Sequence, residues 1–254
     1  MPRINRKGPK LRVGLLASGG GTTILAVLKE CAPGGRLHDL VEVAVIIGSK
    51  VGIKALNRPK EVPGMEDIPT RVVERKKRTG KTEDQFADEL LAIFQEFGVE
   101  LFCQMGWLPE TPEKVWRMFP GTNQHPGPTP LFGGDGMYGV RVHAARLLYM
   151  RSIACQPDGG GMDQTVVCQW VGELDQGATI HYEMVPVDLA TDTPESLQAR
   201  ALPLEWECQI RGLELLASGR EFEMVCPFGQ QTVHTDTKTL AWAKNQAMVD
   251  YPNG

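Results

Sequence analysis

The sequence predicts an α/β fold, a mostly parallel central sheet flanked by helices, and three observations predict it. Residues 11–18, LRVGLLAS, are apolar and β-prone and run straight into Gly19-Gly20-Gly21, after which Ile24, Leu25, Val27 and Leu28 recur at three-to-four spacing. A second β-branched run, Val41 to Ile47, is closed by Gly48-Ser49. Gln85 to Phe97 then repeats with helical period, with Phe86, Leu90, Leu91, Ile93, Phe94 and Phe97 on one broad face, and Val99 to Cys103 follows as another strand. Parallel neighbours need a long crossover, and a helix between each pair of strands supplies it.

The second half is organised differently. Residues 120–139 are rich in glycine and proline and read as a loop. A helix is expected over Val142 to Met150, then strands over Gln164 to Val171 and Thr179 to Val187, with Glu173–Gly177 between them. Asp192 to Pro194 carries a helix-start signal for a segment running to about Ser218, which Pro203 should kink or break. Beyond Pro227 the periodicity fades. The division expected is a basic, disordered N-terminal arm over 1–10, one domain over 11–227, and a polar C-terminal extension over 228–254.

Composition bounds the function classes. The 254 residues can bury a sizeable core without disulfides or metals. With 42% hydrophobic and 23% charged residues, the chain fits neither a disordered nor a membrane class. A net charge of −4 speaks against a globally basic nucleic-acid binder, although a local basic patch can still hold a phosphate. The six cysteines form no CxxC pair and no zinc framework, so buried thiols in a reducing compartment are expected. The start is basic, but the apolar run after it, Val13 to Ala17, is too short for a signal-peptide core or a membrane span. A cytoplasmic protein is the expectation.

Three segments carry chemistry. Ser18-Gly-Gly-Gly-Thr-Thr23 joins a strand to a helix, where glycines admit a ligand and free N–H groups attract an anion; it reads equally as a phosphate cradle or a plain tight turn. It is neither a GxGxxG nor a Walker loop. Asn123 and His125, two residues apart in an extended segment closed by Pro126-Gly-Pro-Thr-Pro130, share a face. An amide there can donate to a developing oxyanion and an imidazole can move a proton; the alternative is a surface loop with a solvated histidine. Glu173-Leu-Asp175-Gln-Gly177 can supply a general base, an orienting carboxylate or ordinary turn chemistry. Other features have plainer readings. Arg75-Lys-Lys-Arg78 is a solvated run or an attractor for an anionic group, Trp116, Met118 and Phe119 suit a core, and His38, His181 and His234 show no partner spacing.

In order and spacing, the three segments resemble the folate-dependent formyltransferases, and within them the glycinamide ribonucleotide (phosphoribosylglycinamide) branch. The family's Ser-Gly-x-Gly-Ser-Asn loop is matched by Ser18 to Thr23, its Asn-x-His-Pro segment by Asn123, His125 and Pro126, and its Glu-Leu-Asp-x-Gly loop by Glu173 to Gly177. Gly136-Met-Tyr-Gly139 before Val142-His143 also looks like that branch. The resemblance spans roughly 11–226 and implies a Rossmann-like formyltransferase fold. It implies transfer of a formyl group from 10-formyltetrahydrofolate, a co-substrate, to the amine of glycinamide ribonucleotide, with no bound cofactor and no metal. Small-molecule substrates are implied, and no nucleic acid or membrane partner. On this likeness Asn123, His125 and Asp175 are catalytic, with Asp175 keeping the imidazole charged. Gly20, Gly21, Thr22 and Thr23 hold the ribose phosphate, and Glu205 contacts the ribonucleotide. Trp107, Leu108, Pro109, Val171, Gly172, Glu173 and Leu174 form the folate site.

The sequence also departs from the family. Cys168 stands where a histidine that supports the aspartate loop is usual, and a thiol is a poor partner for an imidazole. Trp107 and Pro109 replace an arginine and a leucine, Thr23 an asparagine and Gly127 a serine, and Trp206 follows the glutamate in place of histidine. The alternatives are a formyltransferase for another phosphorylated or sugar amine, or a non-catalytic ribonucleotide-binding descendant. A transfer-RNA formyltransferase is disfavoured because no basic C-terminal domain is evident.

Overall fold

The computed structural model describes residues 4–75, 80–153, 164–219 and 236–254. Cys155, Cys226, His234 and Lys76 to Arg78 of the basic run lie outside them. Seven strands form one sheet in the order β3-β2-β1-β4-β5-β6-β7: β1 (Leu11–Ala17), β2 (Val41–Gly48), β3 (Thr70–Val72), β4 (Leu101–Gln104), β5 (Gly121–His125), β6 (Gln164–Trp170) and β7 (Thr179–Val185). The pairs through β5 are parallel, and β6 and β7 are antiparallel additions. The class expected from the sequence is the class observed. The chain runs from β1 outward to β3, then returns across β1 to β4, so the β1/β4 boundary is the switch point beyond whose strand ends ligands bind in such sheets.

Alternation within the strands assigns the two layers. Leu11, Val13, Leu15 and Ala17 of β1 pack with α1 (Thr22–Cys31), while Leu16 joins Val45, Ile47 and Phe102 against α2 (Glu83–Glu96). Thr82 and Gln85 close a capping box on α2. A 3₁₀ helix, Lys54–Glu61, and the short α3, Glu113–Met118, carried too little periodicity to be read from sequence. Trp116 and Phe119 pack against the second layer, but Met118 is exposed, contrary to expectation.

The first residues of the stretch read as a loop over 120–139 form β5, because Gly121 to Asn123 pair with β4, and three further expectations are corrected. The long helix, here α5 (Pro194–Ala217), is not broken at Pro203 but continues through it. A helix-interior proline costs about 3 kcal/mol. Pro203 is exposed while Leu197, Ala201, Cys208 and Leu213 are buried in the core, so the disrupted turn faces solvent and packing prevails. Second, the polar extension contains α6 (Thr237–Asp250), capped by Asp236, whose side chain accepts from Lys238 N and Thr239 N. Its Ala243 and Ala247 are buried with Phe132, Met137 and Tyr149 against α4 (Val140–Ile153). Two small residues four apart are a weak apolar signal, and that is why periodicity missed it. Third, residues 4–10 are tied down: Arg6 Nη1 donates to Ala217 O at 2.7 Å, Lys7 N to Glu100, and Ile4 packs on the core.

Candidate active site

The carboxyl ends of β1, β4 and β5 open onto a cavity of about 610 Å³. Asn123 and His125 leave the same face of β5, as residues two apart in a strand must. Both meet Asp175, which arrives from the β6–β7 loop. Asn123 Nδ2 donates to Asp175 Oδ1 at 3.1 Å, and His125 Nε2 lies 3.8 Å from Asp175 Oδ2, an ion-pair separation rather than a hydrogen bond. All three line the cavity, and His125 and Asp175 are buried.

The local fold explains the convergence. Asp175 sits at φ 55°, a left-handed conformation that aspartate and asparagine tolerate better than most side chains. Gln169 Nε2 donates to its Oδ1 at 3.2 Å and Gly134 N to its Oδ2 at 2.8 Å, so this buried carboxylate accepts several donors. Gly133 must be glycine: a Cβ there would stand 2.5 Å from Asp175 Cβ. His125 Nε2 faces two acceptors, Asp175 and Met137 O at 3.3 Å, and therefore carries hydrogen. Its Nδ1 can donate to Gly127 O at 2.9 Å or accept from Gly127 N at 3.2 Å, so neutral and charged imidazole are both served.

Cys168 does not stand beside the imidazole. Its side chain is fully buried in the sheet–α5 layer against Gly212, and burial pushes its thiol far above the usual range. The neighbouring Gln169, on the opposite face, holds the Asp175 loop instead, itself receiving the Thr129 hydroxyl. Gln169, Thr129 and the Gly134 amide were not found from sequence, since only the folded chain brings them to Asp175. Only Gly134 had any signal, the glycine-rich composition of its loop; Gln169 and Thr129 had none.

The expected folate residues, Trp107, Leu108, Pro109, Val171, Gly172, Glu173 and Leu174, all line the cavity, with Leu108 and Leu174 exposing apolar surface at it. Trp107 is turned into the core, stacked on Phe86 with centroids 6.4 Å apart. Glu205 also lines the cavity, buried and accepting from Gln124 Nε2 at 2.6 Å; burial pushes its carboxyl up to about 7. Arg75, the described member of the basic run, is on the wall beside Glu110.

Of the expected phosphate loop, Ser18 and Gly19 reach the wall, whereas Gly20, Gly21, Thr22 and Thr23 do not. Gly21, at φ 63°, presses against Ala55, and no side chain caps the helix start that follows. The buried Arg58 fixes Gly20 O at 2.8 Å, and Ser18 Oγ accepts from Leu108 N at 2.9 Å, stitching β1 to the β4 loop. Among the described residues no cluster of His, Cys, Asp or Glu is placed to hold a metal ion, and no helix is long and apolar enough to cross a membrane.

An amide and an imidazole on one strand, facing a loop carboxylate at the switch point of a parallel sheet, define a site suited to moving a carbonyl-carbon group. Residues 11–213 match the formyl transferase family model, and the chain belongs to that family. It is 28% identical over 199 residues to a chloroplastic phosphoribosylglycinamide formyltransferase of Arabidopsis thaliana, covering 75% of this chain and 60% of the relative. The corresponding protein of Vigna unguiculata is 28% identical over 212 residues, covering 82% and 62%. The chain thus spans less than two thirds of either relative. Among solved structures, glycinamide ribonucleotide transformylase 1 of Symbiobacterium toebii superposes with a TM-score of 0.67 at 24% identity, covering 89% of this chain and 96% of that one. Phosphoribosylglycinamide formyltransferase of Anaplasma phagocytophilum gives 0.64 at 25%, with the same coverage.

Proposed function

We propose that this chain transfers a formyl group from 10-formyltetrahydrofolate to the amine of glycinamide ribonucleotide. The observation that carries the reading is the meeting of Asn123, His125 and Asp175 in one cavity with an apolar rim. The amine nitrogen attacks the formyl carbon, and the carbonyl oxygen becomes an oxyanion. Asn123 Nδ2 and the protonated His125 donate to it, and Asp175 stabilises the imidazolium. Collapse of the intermediate breaks the bond to the folate nitrogen, which takes up a proton as the attacking nitrogen loses one; His125 and Asp175 relay it. Products are the formylated amine and tetrahydrofolate. Leu108, Leu174 and Val171 suit the folate ring, Glu205 the ribonucleotide, and the uncapped start of α1 at Gly20–Thr23 its phosphate. The buried thiols of Cys31, Cys103, Cys168 and Cys208 suit a reducing compartment such as the cytoplasm.

A second reading, another phosphorylated or sugar amine as acceptor, is favoured by one observation, the displacement of Gly20–Thr23 from the cavity wall. The deciding experiment mixes the purified chain with 10-formyltetrahydrofolate and glycinamide ribonucleotide and follows tetrahydrofolate formation. Acceptor-dependent turnover supports the first reading. Turnover with other amines only moves the assignment to the second, and none with any amine overturns both.

A further inference from the structure

α6 lies outside the matched span 11–213, yet it is built into the cavity wall from behind. The wall includes Gly134 to Gly139, and α6 and the residues after it hold that loop at several points. Met248 Sδ would touch a Cβ at Gly136, and Arg141 donates to the carbonyls of Tyr251 and Pro252, each at 2.6 Å, and of Gly136 at 3.1 Å. Lys244 Nζ donates to Gly133 O at 2.6 Å and Leu131 O at 3.4 Å. Gly133 abuts the Asp175 side chain, and Gly134 N donates to Asp175 Oδ2. A chain of direct contacts therefore runs from Lys244 through the turn to Asp175 and on to His125.

The arrangement is costly without such a role. Lys244 is half-buried, and desolvation pushes its ammonium below the usual lysine range, opposed by attraction to the Asp175 carboxylate. A solvent-facing lysine would avoid that cost.

Resting on the formyl-transfer reading, we propose that Lys244 is a positioning residue of this active site. Its ammonium clamps the 131–134 turn so that the Gly134 amide and the Gly133 surface hold Asp175 against His125. The site is thus completed by the C-terminal helix rather than by the family domain alone.

Lys244→Met keeps the aliphatic stem and removes the clamp, Lys244→Gln serves beside it should the methionine variant aggregate, and Lys244→Arg restores the donor. Formyl-transfer kinetics and amide hydrogen exchange at Gly134 are measured on the full chain, with thermal unfolding alongside. Expected for the methionine variant are a fall in kcat of about tenfold or more with KM nearly unchanged, and a selective acceleration of Gly134 exchange with little change in Tm. Arginine should recover most of both. Wild-type kcat and Gly134 exchange in the methionine variant would overturn the proposal, as would acceleration spread evenly over the chain. If the wild-type chain transfers no formyl group, the functional reading falls and the exchange data decide alone: selective loss at Gly134 supports the clamp, and unchanged exchange removes it.

Discussion

Asp175 gathers Asn123, Gln169, Gly134 and His125 around one carboxylate, so its charge and its shape can be separated by a single substitution. Asparagine is at home at φ 55°, so Asp175→Asn keeps the backbone turn, but its NH2 must replace an acceptor that now faces Gly134 N or the Asn123 and Gln169 amides. The variant should lose most turnover while retaining the fold at a moderate cost in stability. His125→Ala should do similar damage, and the double variant should be little worse than either, because residues acting as a unit are not additive. Asn123→Ala removes one oxyanion donor and should cost on the order of 10²–10³ in kcat. Near-wild-type turnover in Asp175→Asn or His125→Ala would remove these residues from the mechanism. Glu205 makes a different prediction. Its folded-state carboxyl is raised from 4.5 to about 7 by burial, so the folded chain binds that proton more tightly than the unfolded one. The associated stability is fully present below pH 4.5 and lost as pH rises through 7. Glu205→Gln, neutral throughout, should gain on wild type by up to about 3 kcal/mol above that window and by little below it. Urea unfolding from pH 4 to 8 measures the gap; a pH-independent gap would contradict the burial argument.

At the scale of elements, α5 shows propensity yielding to packing. Its buried face holds it continuous through Pro203, and the exposed proline should be a removable burden. Pro203→Ala restores a helical N–H on the solvent side, and the lost unfolded-state rigidity offsets only part of the gain. Stability should rise by about 1–2 kcal/mol in a denaturant titration, and a loss would mean that the proline shapes the helix. Legibility from sequence followed the same physics. β1, β2, α1 and α2 were readable because their apolar faces are strong and periodic. β3, α3 and α6 were not, because short elements and an Ala243/Ala247 stripe carry little local signal and are stabilised by what they touch.

For the whole molecule, any ligand that binds the cavity of the folded chain alone must stabilise the fold. A folate analogue at about a hundred times its Kd should stabilise the chain by about 2.7 kcal/mol, raising Tm by roughly 5–10 °C. Because Trp107 is stacked on Phe86 and largely shielded, Trp107→Phe should leave most of that shift in place. Absence of any shift in the wild-type chain would rule the cavity out as the folate site.

What the sequence determined by itself was local: alternating strands and helices, and the pairing of Asn123 with His125 on one face, which follows from strand geometry. The Glu173–Gly177 turn was legible for the same reason, since its chemistry lies within five neighbouring residues. Only the tertiary structure decided that Gln169 rather than position 168 supports Asp175, that Trp107 turns inward, and that Lys244 reaches the turn at Gly133 from α6. Those contacts join residues that the chain separates widely, and no periodicity records them. They exist because the sheet sets where β5 and β6 end, and the free energy of burial then selects which side chains meet there.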